Sequence, residues 1–256
     1  MKVDLHFHTV LSKDGSIPPV PATARLIKRR GLDGVAITDH DATANVARLS
    51  RLLAAEGLVA IPGEEVRVDN GPEILCYFLN ERIPPGSLGS VLDAIHDQDA
   101  VAVLSHPFDY IRGNWMHLFT HERSKELAAL LHHVHGLEGF NARNYSPGGN
   151  GLALRYARGL HLVATGGSDA HWAGEIGLAW TGVDASSTRL DDLAAAFKAK
   201  RVAPCAVEAL AAVPLPGYKA RRCVAGCAKK IASGLSSALP PFKRWLSARA
   251  AMHGNR

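Results

Sequence analysis

At 256 residues, with 47% apolar and 21% charged residues, the chain is long enough for one full core, and no run of about 18 charge-free apolar residues suggests a membrane span. Its four cysteines, Cys76, Cys205, Cys223 and Cys227, follow neither zinc-type nor secreted-disulfide spacing, and no signal-peptide pattern precedes the first strand-like stretch, so a reduced cytoplasmic protein is expected. The net charge of +5 misleads: nine basic and no acidic residues follow Glu208, leaving 20 basic against 24 acidic residues in 1–208, a net of −4.

Short apolar, β-branched runs predict strands at 3–8, 34–38, 58–61, 74–79, 100–105, 135–140, 161–165 and 177–183. Helical patterns fall between them at 21–30, 43–56, 87–98, 120–133, 148–158 and 189–199, with Gly31, Gly57 and Gly159 as stops. "DNGP", Asp69 to Pro72, marks a turn. The alternation predicts a parallel sheet with helical crossovers. The composition shift near residue 209 divides a domain at 1–208 from a tail at 209–256.

Polar residues of metal-binding type recur at the strand ends. "VDLHFHT" carries His6 and His8 two apart, hence on one face of a strand, beside Asp4. Asp14 follows in "SKDG". "ITDHD" supplies Asp39, His40 and Asp41; "IPGEE" supplies Glu64 and Glu65; "GPEIL" supplies Glu73. "LSHP" gives His106, "GLEGFN" gives Glu138 and Asn141, and "GGSDAH" gives Asp169 and His171. In a parallel α/β barrel such ends converge on one mouth, and a cluster of histidines and carboxylates there suits Zn²⁺, Mn²⁺ or Fe²⁺. A lone strand-end histidine is ordinarily just hydrogen-bonded, and His96, His117, His121, His132, His133, His135, His161 and His253 are read that way. Coincidence does not explain HxH, TDH, SHP and SDAH together.

The motifs "DLHFHTVLSKDG", "GVAITDHDA", "IPGEEV", "SHP" and "GGSDAH" resemble, in order and over roughly residues 1–175, those of the polymerase-and-histidinol-phosphatase (PHP) superfamily. "GEIGLAWTGVDA" and the helix after it resemble the C-terminal extension of small PHP proteins. The resemblance implies a distorted seven-stranded (β/α) barrel, of α/β class, whose site holds two or three divalent ions and hydrolyses phosphoesters. By position it implies the ligands His6, His8, Asp14, His40, Glu65, His106, Asp169 and His171, with Glu65 as the carboxylate bridging two ions. Glu73 stands where the family often has histidine. A carboxylate can ligate there, and as a harder ligand it shifts the expected metal from Zn²⁺ toward Mn²⁺ or Mg²⁺.

Paired ions imply a metal-activated hydroxide as nucleophile, without a covalent intermediate. His171 or His40 would protonate the leaving group, and Arg143 in "FNARN" would grip phosphate oxygens, with Lys13 a weaker candidate. Asp39 is expected to orient His6 or His40, and Asp4 to act similarly. The substrate reads as a nucleotide, an RNA end or a small phosphorylated metabolite. The basic tail is expected to pack on the barrel, with nucleic acid and anionic membrane as rival partners; no obligate protein partner is expected. Two other readings stand beside this one: a non-hydrolytic PHP binding module, and an amidohydrolase, which a carbamylated lysine at a strand end would favour.

Overall fold

The computed structural model of the protein describes residues 1–206 except 41, 45, 70–72, 113–114 and 116–129. In chain order its elements are β1 (Lys2–Asp4), α1 (Pro21–Arg29), β2 (Gly34–Ile37), α2 (Val46–Ala55), β3 (Val59–Arg67), β4 (Glu73–Tyr77) and α3 (Leu88–Asp97). There follow β5 (Val101–Leu104), β6 (Gly136–Asn141), α4 (Gly149–Gly159), β7 (Val163–Gly167), β8 (Ala179–Val183), α5 (Leu190–Lys198) and β9 (Val202–Ala206). All the strands and helices expected over described residues are present. Most of the helix expected at 120–133, the boundary near 209 and the tail at 209–256 with Cys223 and Cys227 lie outside the described residues.

The strands form one nine-stranded sheet in the order β7-β6-β5-β4-β3-β2-β1-β8-β9. Two expectations are corrected. The sheet has nine strands rather than seven, because β8 and β9 of the C-terminal extension join it. It is also mixed rather than parallel: β3/β4, β4/β5, β1/β8 and β8/β9 are antiparallel. In the first reversal β4 starts at the end where β3 finishes, with Arg67 opposite Glu73; most of "DNGP" lies outside the described residues.

The sheet curls until its ends meet. Thr181 of β8 bridges to β7, its hydroxyl accepting from Gly166 N at 2.7 Å and donating to Gly166 O at 2.9 Å. Beyond β1 and β7 the backbone pairs directly: Asp169 N donates to His6 O at 2.8 Å and His8 N to Ala170 O at 3.0 Å. Gly167 permits this approach, since a Cβ there would stand 2.4 Å from His6 Cβ.

Alternation along the strands sorts the interior. Val3, Ala36, Val59, Ile61, Leu75, Tyr77, Val101 and Val103 form one apolar cluster, closed by Leu193 and Phe197 of α5. Continuing on the same face toward the other end, β3 presents Glu65, the start of β4 presents Glu73, and the residue after β5 is Ser105. The interior thus turns from apolar to polar at one mouth. The outer faces bury their apolar side chains against α1 and α2 on one side, and α3 and α4 on the other. Among the described residues no helix is long and apolar enough to cross a membrane.

Candidate metal centre

All nine candidate ligands meet at the polar mouth. Three groups have donor atoms close enough to share an ion: His8, Asp14, His40 and His171; His6, His8 and Asp169, which share His8 with the first; and Glu65, Glu73 and His106. His6 Nε2 lies 3.0 Å from His8 Nε2, and the two lie 3.1 and 3.3 Å from Glu65 Oε2. Both are 3.6 Å from Asp169 Oδ1. Ligands held ~2.0–2.2 Å from one ion lie roughly 3.0–3.6 Å from each other, so these separations fit a common ion. Asp14 Oδ2 lies 3.0 Å from His171 Nε2 and 3.7 Å from His40 Nε2. His106 Nε2 lies 3.3 Å from Glu65 Oε1 and 3.4 Å from Glu73 Oε2. The two oxygens of Glu65 therefore face different groups, with Ser105 Oγ donating to Oε1 at 2.5 Å. Glu64, one residue away on the opposite face, instead accepts from Ile83 N at 2.9 Å.

The charges are unusual for a buried cluster. Burial opposes protonation of His6, yet Glu65, Asp169 and Glu138 outweigh it and push its pKa well above the ordinary value. His8 is lowered, by burial and by the His6 charge, against the pull of Glu65. Two imidazole nitrogens 3.0 Å apart among buried carboxylates mark a place where a cation fits. His106 is pushed up to about 9: burial and Arg112 oppose it, and Glu65 and Glu73 prevail. Its Nδ1 is buried without a hydrogen-bond partner.

A second layer sets the ring orientations. Glu138 Oε1 lies 2.9 Å from His6 Nδ1, and its Oε2 accepts from His106 N at 2.8 Å and Asn141 Nδ2 at 3.0 Å. Glu138 and Asn141 are three apart and would face opposite sides of a regular strand. A bulge between Glu138 and Phe140 turns both into the mouth. Ser12 Oγ donates to Asp39 at 3.1 Å and receives His40 N and His8 Nδ1, each at 2.9 Å. That leaves His8 Nε2 as the atom with a lone pair toward the mouth. His171 Nδ1 donates to Asp169 O at 2.8 Å, with the same consequence for its Nε2.

Two expected orientations are corrected. Asp39 touches neither the His6 nor the His40 ring; it accepts from Thr9 N, Thr9 Oγ1 and Ser12 Oγ and reaches His8 through Ser12. Asp4 touches no imidazole. It accepts from the backbone N–H groups of His6, Ser168 and Gly177 and so ties β1 to the segment after β7.

A cavity of about 240 Å³ opens over the ligands, lined also by Arg67, Arg112 and Arg143. Arg143 points its Nε and one terminal nitrogen at Tyr145 Oη, at 3.2 and 2.9 Å, while Nη1 is buried without a hydrogen bond. Arg112 was not anticipated: it pairs with Asp169 and Asp109, lies 3.3 Å from Asn141 Oδ1 and sits 5.1 Å over the Tyr145 ring. It lies in an irregular loop six residues beyond His106, with no spacing signal to reveal it. Lys13 is exposed.

A family model described as PHP-associated matches residues 147–202. An uncharacterized protein of Methanocaldococcus jannaschii is 36% identical over 181 residues, 70% of this chain and 69% of its own length. Among solved structures, similarity extends to a two-domain protein from Bacteroides vulgatus containing a predicted PHP-like metal-dependent phosphoesterase, at TM-score 0.62 and 22% identity. That match covers 80% of this chain and 64% of the Bacteroides chain, so this chain spans under two thirds of that protein. An amidohydrolase from Chromobacterium violaceum, with bound sulfate and no metal, matches at TM-score 0.53 and 18% identity, covering 67% of this chain and 88% of that one. Motifs, barrel and relatives agree: the chain belongs to the PHP superfamily.

Proposed function

We propose that this protein is a metal-dependent hydrolase that cleaves phosphoesters. The observation that carries the reading is a cluster of nine histidine and carboxylate donors, seven of them lining one cavity, together with three arginines that have no counterpart in a purely structural metal site. His6, His8 and Asp169 would hold one ion, Glu65, Glu73 and His106 a second, and Asp14, His40 and His171 a third with His8. The hard, carboxylate-rich set around Glu73 favours Mn²⁺, with Fe²⁺, Zn²⁺ and Mg²⁺ as the other candidates. When bound, such ions would acidify water and neutralise charge on phosphoryl oxygens.

The chain's own residues supply the rest. Arg143, with Nη1 unsatisfied beside the cavity, would bind a non-bridging oxygen. Arg112 would add positive charge where charge develops on the phosphoryl group. When the third ion is not held by it, His40, partly exposed and no closer than 3.5 Å to the described carboxylates Asp14, Glu65 and Glu73, would be the histidine to deliver a proton to the leaving oxygen. Among the described residues lining the cavity there are three arginines and no lysine, which favours phosphoesters over the C–N chemistry of a carbamylated-lysine site.

The test is turnover of p-nitrophenyl phosphate and bis-p-nitrophenyl phosphate by Mn²⁺-loaded protein, with His8→Ala as control. Metal-dependent hydrolysis of either, lost in the variant, is expected. Monoester preference would point to small phosphorylated metabolites or nucleotides, diester preference to RNA. Turnover of neither would overturn the reading.

A further inference from the structure

Five large apolar side chains are exposed among the described residues, and four of them, Val10, Leu11, Ile111 and Trp172, stand on loops that carry candidate ligands or pocket arginines. Val10 and Leu11 lie between His8 and Asp14, Ile111 precedes Arg112, and Trp172 follows His171. Singly exposed apolar residues are ordinary. Four of them on the loops that also supply Asp14, Arg112 and His171 to the charged lining of the cavity are not, and a phosphoryl group alone gives them no purpose.

Trp172 is the largest of the four and is 49% exposed. Its six-membered ring lies against Gly174: a Cβ at that glycine would come within 2.0 Å of Cζ3 and 2.3 Å of Cη2. The ring occupies the space that a side chain at 174 would take, so it lies against the Gly174 backbone. The turn beneath is braced by Glu175, whose carboxylate accepts from His171 N at 2.9 Å and whose N–H donates to Trp172 O at 3.0 Å. The same carboxylate lies 3.6 Å from Arg143 Nη1. Glu175 thereby ties the turn that carries His171 and Trp172 to the Arg143 guanidinium.

We propose that Trp172 is a specificity residue: a stacking platform for a flat aromatic ring, such as a nucleobase, in the part of the substrate that extends out of the metal centre. The inference rests on the phosphoesterase reading above and narrows it to esters that carry such a ring. Aromatic stacking on a held ring is sequence-tolerant and typically contributes a factor of about 10 or more per base.

The experiment compares adenosine 5′-monophosphate with ribose 5-phosphate, which share a leaving oxygen and differ by the base, on Mn²⁺-loaded wild type, Trp172→Ala and Trp172→Phe. The wild type is expected to favour the nucleotide in kcat/KM by on the order of 10-fold. Trp172→Ala should erase the preference through KM, leave ribose 5-phosphate unchanged and melt as the wild type does; Trp172→Phe should keep most of it. Wild-type tryptophan emission should be quenched by the nucleotide and not by ribose 5-phosphate, and Trp172→Phe should lose that quenching. An unchanged preference in Trp172→Ala, or an equal loss on both substrates, overturns the platform and leaves the phosphoesterase reading standing. Turnover of neither ester by the wild type overturns that reading and the platform with it.

Discussion

Gly167→Ala probes the seam where the barrel closes. Replacing glycine by alanine at an unstrained position ordinarily stabilises a protein, by ~0.4–1 kcal/mol. Gly167 has no left-handed backbone angle, so only space decides the sign. The added methyl would stand 2.4 Å from His6 Cβ and 2.8 Å from His6 N, where unstrained contacts need ~3.5 Å or more. The two segments must part by roughly 1 Å, which weakens the bonds from Asp169 N to His6 O, His8 N to Ala170 O and Ser168 N to Asp4. Overpacking costs ~1–3 kcal/mol, and three weakened bonds that contribute ~1 kcal/mol each when intact add up to ~3 kcal/mol, for a loss of ~1–6 kcal/mol. Urea unfolding of the metal-free protein measures it. Mn²⁺ affinity should fall as well, because the seam carries His6, His8, Asp169 and His171. Gly151→Ala is the matched control: nothing lies within 4 Å of that site in α4, and ~0.5–1 kcal/mol of stabilisation is expected. A Gly167→Ala protein as stable as wild type, with wild-type Mn²⁺ affinity, would refute the close-packed seam.

Ser12→Ala removes the group shared by His8, His40 and Asp39, and a 10–100-fold loss of Mn²⁺ affinity is expected in competition with a chromophoric chelator; an affinity within twofold of wild type would contradict the role given to Ser12. Burial raises the Asp4 carboxyl from the ordinary 3.8 to about 6 despite its N–H donors. The native state therefore holds this proton more tightly than the unfolded chain, so Asp4 lowers stability as pH rises through the window between those values. Relative to Asp4→Asn, the wild type should lose ~2 kcal/mol from pH 4 to pH 6.5, and a pH-independent difference would disprove it. Arg112→Met leaves Asp109 and Asp169 uncompensated, at a cost of ~3–5 kcal/mol in metal-free protein. Because a cation would neutralise Asp169 again, Mn²⁺ should raise the melting temperature of this variant more than that of the wild type; equal increments would count against the pairing.

The site was legible because its chemistry sits at element ends, where a strand's apolar alternation breaks off. His6 and His8 flank Phe7, which goes to the core, so the pattern declares both imidazoles. Glu65 over Glu64 followed from the match of "IPGEE" to the family motif, and the strand alternation of β3 accounts for it: Glu64 faces the other way, to Ile83 N. What stayed hidden depends on the third dimension. The antiparallel return of β4 is written only in a short turn, and the bulge that aligns Glu138 with Asn141 has no periodic signature. Asp39 finds His8 through Ser12, a contact between loops 27 residues apart. Arg112 reaches Asp169 across 57 residues from an irregular segment, where no pattern constrains a side chain.

The seam between His6–His8 and Asp169–Ala170 also fixes when the centre can exist. Its two halves are separated by more than 160 residues of chain, so a nascent polypeptide carries His6 and His8 as orphans until nearly the whole described domain has been synthesised. Such distant pairings form late in folding, after the loop-closure entropy has been met. A bound ion touching both halves stabilises only the closed barrel, by mass action. Metal occupancy in this protein would then read out completed folding, and starving cells of the ion should lower the amount of intact protein along with its activity.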